Sequence, residues 1–146
     1  MTRLLIFAFV PLLLVGCVNS YNVSKRSPFC DYIGQTVELQ RPVLIVGSAS
    51  IWTSSYGVPS VLSARYGLID LDADTTNHWF GPVLGELPAG HLVTIDSVRN
   101  EAWGDSGQVT AYGHTAIPPS TNEVSFVYGW GVAMSALKRA PWEPDH

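Results

Sequence analysis

The stretch His91-Leu92-Val93-Thr94-Ile95-Asp96-Ser97-Val98 decides the fold class, because its side chains alternate with the period of two that marks a β-strand with one buried face. Strict alternation puts Leu92, Thr94, Asp96 and Val98 on one face and Val93 and Ile95 on the other. Upstream, Leu87-Pro88-Ala89-Gly90 is a tight turn that feeds this strand. Downstream, Trp103-Gly104-Asp105-Ser106-Gly107 is a second turn, returning the chain into a strand over residues 108–115. Working outward, 124–130 and 66–71 read as further strands, and 36–39 and 43–46 as one or two more, with Pro42 at an edge or a strand start. Residues 48–63, rich in Ser, Gly and aromatics, read as a long irregular loop, and 133–139 as one or two helical turns closed by Pro141. The class is all-β.

Short strands, a Leu-Pro-x-Gly turn before a strong strand and a final aromatic strand resemble a small SH3-like barrel, closed or half-closed, over residues 33–130; a compact sandwich is the alternative. A closed barrel would hide the strand edges that otherwise invite pairing with another chain.

The amino-terminal segment has a different character. Arg3 is followed by an apolar run over residues 4–15, then Gly16 and Cys17. The run is shorter than the roughly 20 apolar residues that cross a bilayer, and it lacks the polar face of a core helix, so it suits a signal peptide. Leu14-Val15-Gly16-Cys17 resembles the lipobox of bacterial lipoprotein precursors at every position. That resemblance implies removal of residues 1–16, acylation of Cys17 and stable membrane attachment through several acyl chains. Val18, rather than Asp, after the cysteine implies the outer membrane, and the protein is expected on its periplasmic face.

The remainder is the size of one domain. Residues 17–29 read as the lipidated amino terminus and a polar tether, 30–142 as a single β domain and 143–146 as a polar tail. Lys and Arg number eight and Asp and Glu twelve. The signal takes Arg3 with it, and the acidic balance argues against nucleic acid as a partner. With Cys17 acylated, Cys30 has no partner among the two cysteines; the neighbouring Phe29, Tyr32 and Ile33 predict that it is buried.

Several strings imitate functional motifs. Gly104-Asp105-Ser106-Gly107 is similar to the nucleophile loop of trypsin-like proteases, but no Ala-Ala-His-Cys-like segment precedes it, and a hairpin turn is the better reading. Ser135-Ala136-Leu137-Lys138 has the Ser-x-x-Lys form of penicillin-recognising enzymes without their other two motifs. Asp70, Asp72 and Asp74 alternate as in a calcium loop, but Thr75 and Gly81 stand where Gly and Glu are required. His78, His91, His114 and His146 have no metal-ligand spacing. Glu143-Pro144-Asp145 is similar to a C-type lectin sugar motif but lies at the chain end. No catalytic residues, metal or cofactor are therefore expected.

The aromatic residues remain. Trp52, Tyr56, Trp79 and Trp103 fall in loops or turns and form the candidate binding surface, since amphipathic rings stack on sugars and anchor protein interfaces. The expected function is that of a membrane-anchored envelope lipoprotein acting as a non-catalytic protein-binding module, an assembly accessory, inhibitor or immunity factor. The alternative is an SH3-like peptidoglycan-binding module, whose groove would be flanked by Asp or Glu.

Overall fold

A computed structural model describes residues 19–47, 66–73, 81–103, 106–132 and 134–144. Its strands are β1 (Asn19–Asn22), β2 (Thr36–Glu38), β3 (Val43–Gly47), β4 (Tyr66–Asp70), β5 (Val83–Leu87), β6 (Leu92–Trp103), β7 (Ser106–Ala116) and β8 (Glu123–Gly131). The protein is all-β: the described residues contain no α-helix, only a 3-10 turn over Phe29–Asp31.

All eight strands join one sheet in the order β1-β6-β7-β8-β4-β3-β5, with β2 also pairing β6. The hairpin of β6 and β7 is its centre, running from Trp103 opposite Ser106 to Thr94 opposite His114. The alternation in β6 is broken where the register shifts between Ile95 and Ser97, leaving Asp96 as an extra residue. A bulge of this kind turns the following side chains over. Val98 consequently joins Val93 and Ile95 in the core, while Leu92 stays 54% exposed.

The sheet is strongly curved, and the connections show why. From β6 to β5 there are five strand-to-strand steps, which in a flat sheet would span about 24 Å. Yet β5 and β6 are consecutive, and the chain from Leu87 to Leu92 reaches at most about 17 Å. The two ends must therefore swing toward each other. Leu39 and the 88–91 turn stitch the corner: the Leu39 N–H donates to the His91 carbonyl at 2.9 Å and the Gly90 N–H to the Leu39 carbonyl at 2.7 Å. No ladder joins β5 to β6 or β2 among the described residues, so the sheet rolls around its core without closing. The described strands thus form one unclosed sheet, compatible with the compact-sandwich alternative, and not the closed barrel that the SH3-like resemblance allowed.

Inside the roll, every strand from β3 to β8 contributes to one apolar cluster. Its densest part is aromatic: Phe29 meets Trp130 edge-on at 5.0 Å between centroids, Trp130 meets Trp142 at 5.2 Å, and Trp142 meets Tyr128 at 5.2 Å. Elsewhere in the core, Gly113 lets β6 and the Phe126 ring come close. A Cβ there would lie 2.1 Å from the Thr94 carbonyl oxygen and 2.7 Å from the Phe126 ring.

Three sequence expectations are corrected. Residues 19–29 are not a tether: β1 pairs β6 from Asn19 opposite Ala102 to Asn22 opposite Arg99, and Val23 and Phe29 are buried. Polar residues suffice here because a ladder is made by backbone groups, and the Ser24 hydroxyl adds an acceptor for the Val98 N–H at 2.8 Å. The described part of 133–139 is not helical, since Leu137 bridges Gly131 and the Lys138 N–H donates to the Trp130 carbonyl at 2.9 Å. Nor is Cys30 buried; it is exposed, its thiol beside the Asp31 carboxylate at 3.6 Å. The 3-10 turn directs Phe29 inward and leaves the next residue outside. Strand β5 went unread because Pro82-Val83-Leu84-Gly85-Glu86-Leu87 does not alternate; four of its five residues are exposed.

Candidate functional site

Three chain segments converge on an open cleft of about 420 Å³ lined by Arg41, Pro42, Asp70, Leu71, Asp72, Lys138 and Arg139. Arg41 and Pro42 lead into β3, Asp70 ends β4, and the last two residues follow Leu137, which bridges back to Gly131 after β8. Antiparallel pairing sets Val43 opposite Asp70, which brings the first two segments together.

Asp70 organises the cleft. Lys138 Nζ lies 2.5 Å from its Oδ2, Arg41 Nη2 lies 3.5 Å from its Oδ1, and the Tyr128 hydroxyl donates to both oxygens at 3.1 and 3.2 Å. Lys138 also stands 4.6 Å above the Tyr128 ring, a cation–π placement. Burial first, and then the Asp70 charge, push the Tyr128 hydroxyl far above its ordinary range, so it remains a donor. Arg41 additionally donates to the Arg139 carbonyl. The Asp70 carboxylate is therefore shared among two cations and a phenol, which suits a structural latch or a recognition site better than a general base.

A second polar cluster lies on the outer face of the sheet. His114 Nδ1 is 3.0 Å from Asp96 Oδ2, and His114 Nε2 is 3.8 Å from Glu123 Oε2. The bulge at Asp96 explains why this carboxylate faces β7. Nearby, the Thr115 hydroxyl donates to the Leu92 carbonyl at 2.8 Å, so its contact with His91 Nε2 at 2.8 Å must be one in which the imidazole donates. Among the described residues no group of three or more His, Cys, Asp or Glu side chains could hold a metal ion. Asp70, one member of the calcium-like series, is engaged as above.

Cys17, Trp52, Tyr56 and Trp79 lie outside the described residues. Trp103 is described only through its backbone, as the last residue of β6 opposite Ser106. That pairing is the last rung of the β6–β7 ladder. His114 lies eight positions from Ser106 along β7, or roughly 26 Å of extended chain, too far for a Ser–His pair. The Arg41–Asp70–Lys138 cluster escaped sequence reasoning. Asp70 was noted, but Lys138 is 68 positions away, and no local pattern joins them.

Compared with protein-family models, with curated proteins and with solved structures, this chain shows no match in any of the three.

Proposed function

We propose that this chain is an envelope lipoprotein, exported by residues 1–16, acylated on Cys17 and held at the periplasmic face of the outer membrane, where its β domain binds a protein partner without catalysing a reaction. The observation that carries the reading is Leu14-Val15-Gly16-Cys17 standing immediately before a chain that enters the sheet at Asn19. Among the described residues no helix is long and apolar enough to cross a membrane. The engagement of Asp70 by Lys138, Arg41 and Tyr128 supports recognition over proton transfer at the cleft.

The experiment has two stages. In a bacterial host, the mature amino-terminal fragment should carry the mass of an acylated Cys17, and Cys17→Ser should abolish both that mass and partition with the membrane. Detergent-solubilised mature protein is then used to capture partners from envelope extract. A stoichiometric protein whose retention falls with Trp52→Ala or Trp103→Ala supports the reading; an unmodified Cys17 overturns it. The wall-binding alternative is favoured by one observation, the carboxylates Asp70 and Asp72 in the cleft. It predicts retained muropeptides, released by Asp72→Asn.

A further inference from the structure

We infer that the cleft between Arg41, Asp70 and Lys138 receives the carboxy-terminal end of a partner polypeptide, its free carboxylate held by Lys138 and Arg41 and its last, apolar side chain laid against Leu71 and Pro42. The inference rests on the reading above for the partner being a protein, and adds which part of that partner is bound and by what.

Depth and charge favour an anion at this opening. The Asp70 side chain is 15% exposed, against 31% for Arg41 and 47% for Lys138, so the carboxylate forms the floor of the cleft and the two cations its mouth. Three cations, Arg41, Lys138 and Arg139, line the cleft with two carboxylates, Asp70 and Asp72. The cleft is thus locally positive on a chain whose formal net charge is −4 at pH 7, and an incoming anion meets the cations before it meets Asp70.

An ammonium and a guanidinium each carry several N–H donors. Lys138 gives one to Asp70 Oδ2 at 2.5 Å, and Arg41 engages both Asp70 and the Arg139 carbonyl through the same Nη2. The Tyr128 hydroxyl, donating to both Asp70 oxygens, steadies the floor carboxylate and with it the cations above. A second carboxylate at the mouth would share these cations with Asp70 rather than displace it.

The apolar wall selects a chain end. Leu71 is 46% exposed, and half-buried Pro42 lines the same cleft. A cationic mouth beside an apolar wall fits a residue that carries a carboxylate and an apolar side chain together, and in a polypeptide only the last residue does so. An internal Asp or Glu brings the charge alone. Asp72, exposed at the same opening, can accept the backbone N–H of that last residue. A volume of about 420 Å³ falls within the range of small-ligand sites, about 300–1,000 Å³, and admits the end of a chain rather than a folded segment.

The test uses the full chain in an uncharged detergent, titrated calorimetrically with short synthetic peptides that differ only at the carboxy terminus. A peptide ending in leucine with a free acid should bind about tenfold tighter than its amide, and several-fold tighter than the same peptide ending in serine. Raising the salt concentration should weaken the acid more than the amide. Lys138→Met, with a cooperative unfolding transition to show that the fold persists, should erase the preference for acid over amide. Leu71→Ser should erase the preference for leucine over serine. Acid and amide bound equally, or neither bound, would overturn the inference while leaving the anchor and the capture of a protein partner standing. A wall stem peptide ending in D-alanine bound more tightly than the leucine-ended acid would overturn the assignment to a protein end in favour of the wall-binding alternative. Protein without acyl mass on Cys17 would overturn the anchor, whereas the peptide titration would still decide the cleft.

Discussion

Lys138 and Asp70, 68 positions apart in the chain, meet at 2.5 Å across the mouth of the cleft, with the buried Tyr128 hydroxyl directed at the same carboxylate. The carboxyl-terminal segment is thereby tied to the end of β4. Because Lys138 is 47% exposed while Asp70 is only 15% exposed, the two partners differ in what their removal leaves behind. Lys138→Ala should cost less than about 1 kcal/mol, as for other exposed ion pairs. Asp70→Ala, which orphans the Tyr128 hydroxyl, should cost about 1–3 kcal/mol. Urea unfolding of both variants checks the order, and a Lys138 effect equal to that of Asp70 would contradict this account.

Alkaline pH should destabilise the fold through two tyrosines. Burial, followed by the carboxylate each one faces, raises both Tyr112, which donates to Glu101 at 2.5 Å, and Tyr128 above their ordinary value of 10.0. A group whose folded pKa is raised contributes stability that is fully present below the unfolded pKa and lost as pH climbs from there toward the folded one. Stability should therefore be level in this respect up to about pH 10 and decline above it. Tyr112→Phe should flatten the decline, read as Tm against pH.

Gly113→Ala should be among the most damaging of conservative changes. The added methyl would sit 2.1 Å from the Thr94 carbonyl oxygen, inside the central hairpin. Backbone must move to admit it, and overpacking of this kind costs about 1–3 kcal/mol or more. Gly85→Ala, whose Cβ would meet only the Ile45 Cγ2 at 3.9 Å, is the matched control and should change Tm little.

Cys30 should react with iodoacetamide in the native protein as readily as in urea, since it lies exposed beside Asp31. In an oxidising compartment the same exposure allows an intermolecular disulfide. Protection of the thiol in native buffer would refute this placement.

Sequence reasoning read the central strands well because His91 to Ile95 carry their alternation in side-chain type, and a half-buried strand needs that pattern. The bulge at Asp96 was not legible, since nothing local distinguishes an alternating run from one with an extra residue; only the partner strand reveals it. Strand β1 was missed for the opposite reason. Its residues Asn19-Ser20-Tyr21-Asn22 have no apolar pattern, and their order comes from the backbone groups of β6. Cys30 shows the limit of neighbour-based inference: Phe29 is buried, and the adjacent side chain points outward from the same 3-10 turn. The Arg41–Asp70–Lys138 cluster depends on three distant segments meeting at one edge of the sheet, a property of topology rather than of composition.

The pairing of Asn19–Asn22 with residues of the long central hairpin also bears on the order of events during synthesis. Among the described strands β1 comes earliest in the chain, yet its partner lies near position 100, so the two pair only after β6 has been made, and the parallel pairing of β4 with β8 waits longer still. Contacts this distant in sequence form slowly. In this topology the β1 side of β6 is covered, and the β4–β8 pair completed, only after β6 and β8 have been made, late relative to the local β3–β4 and β3–β5 ladders.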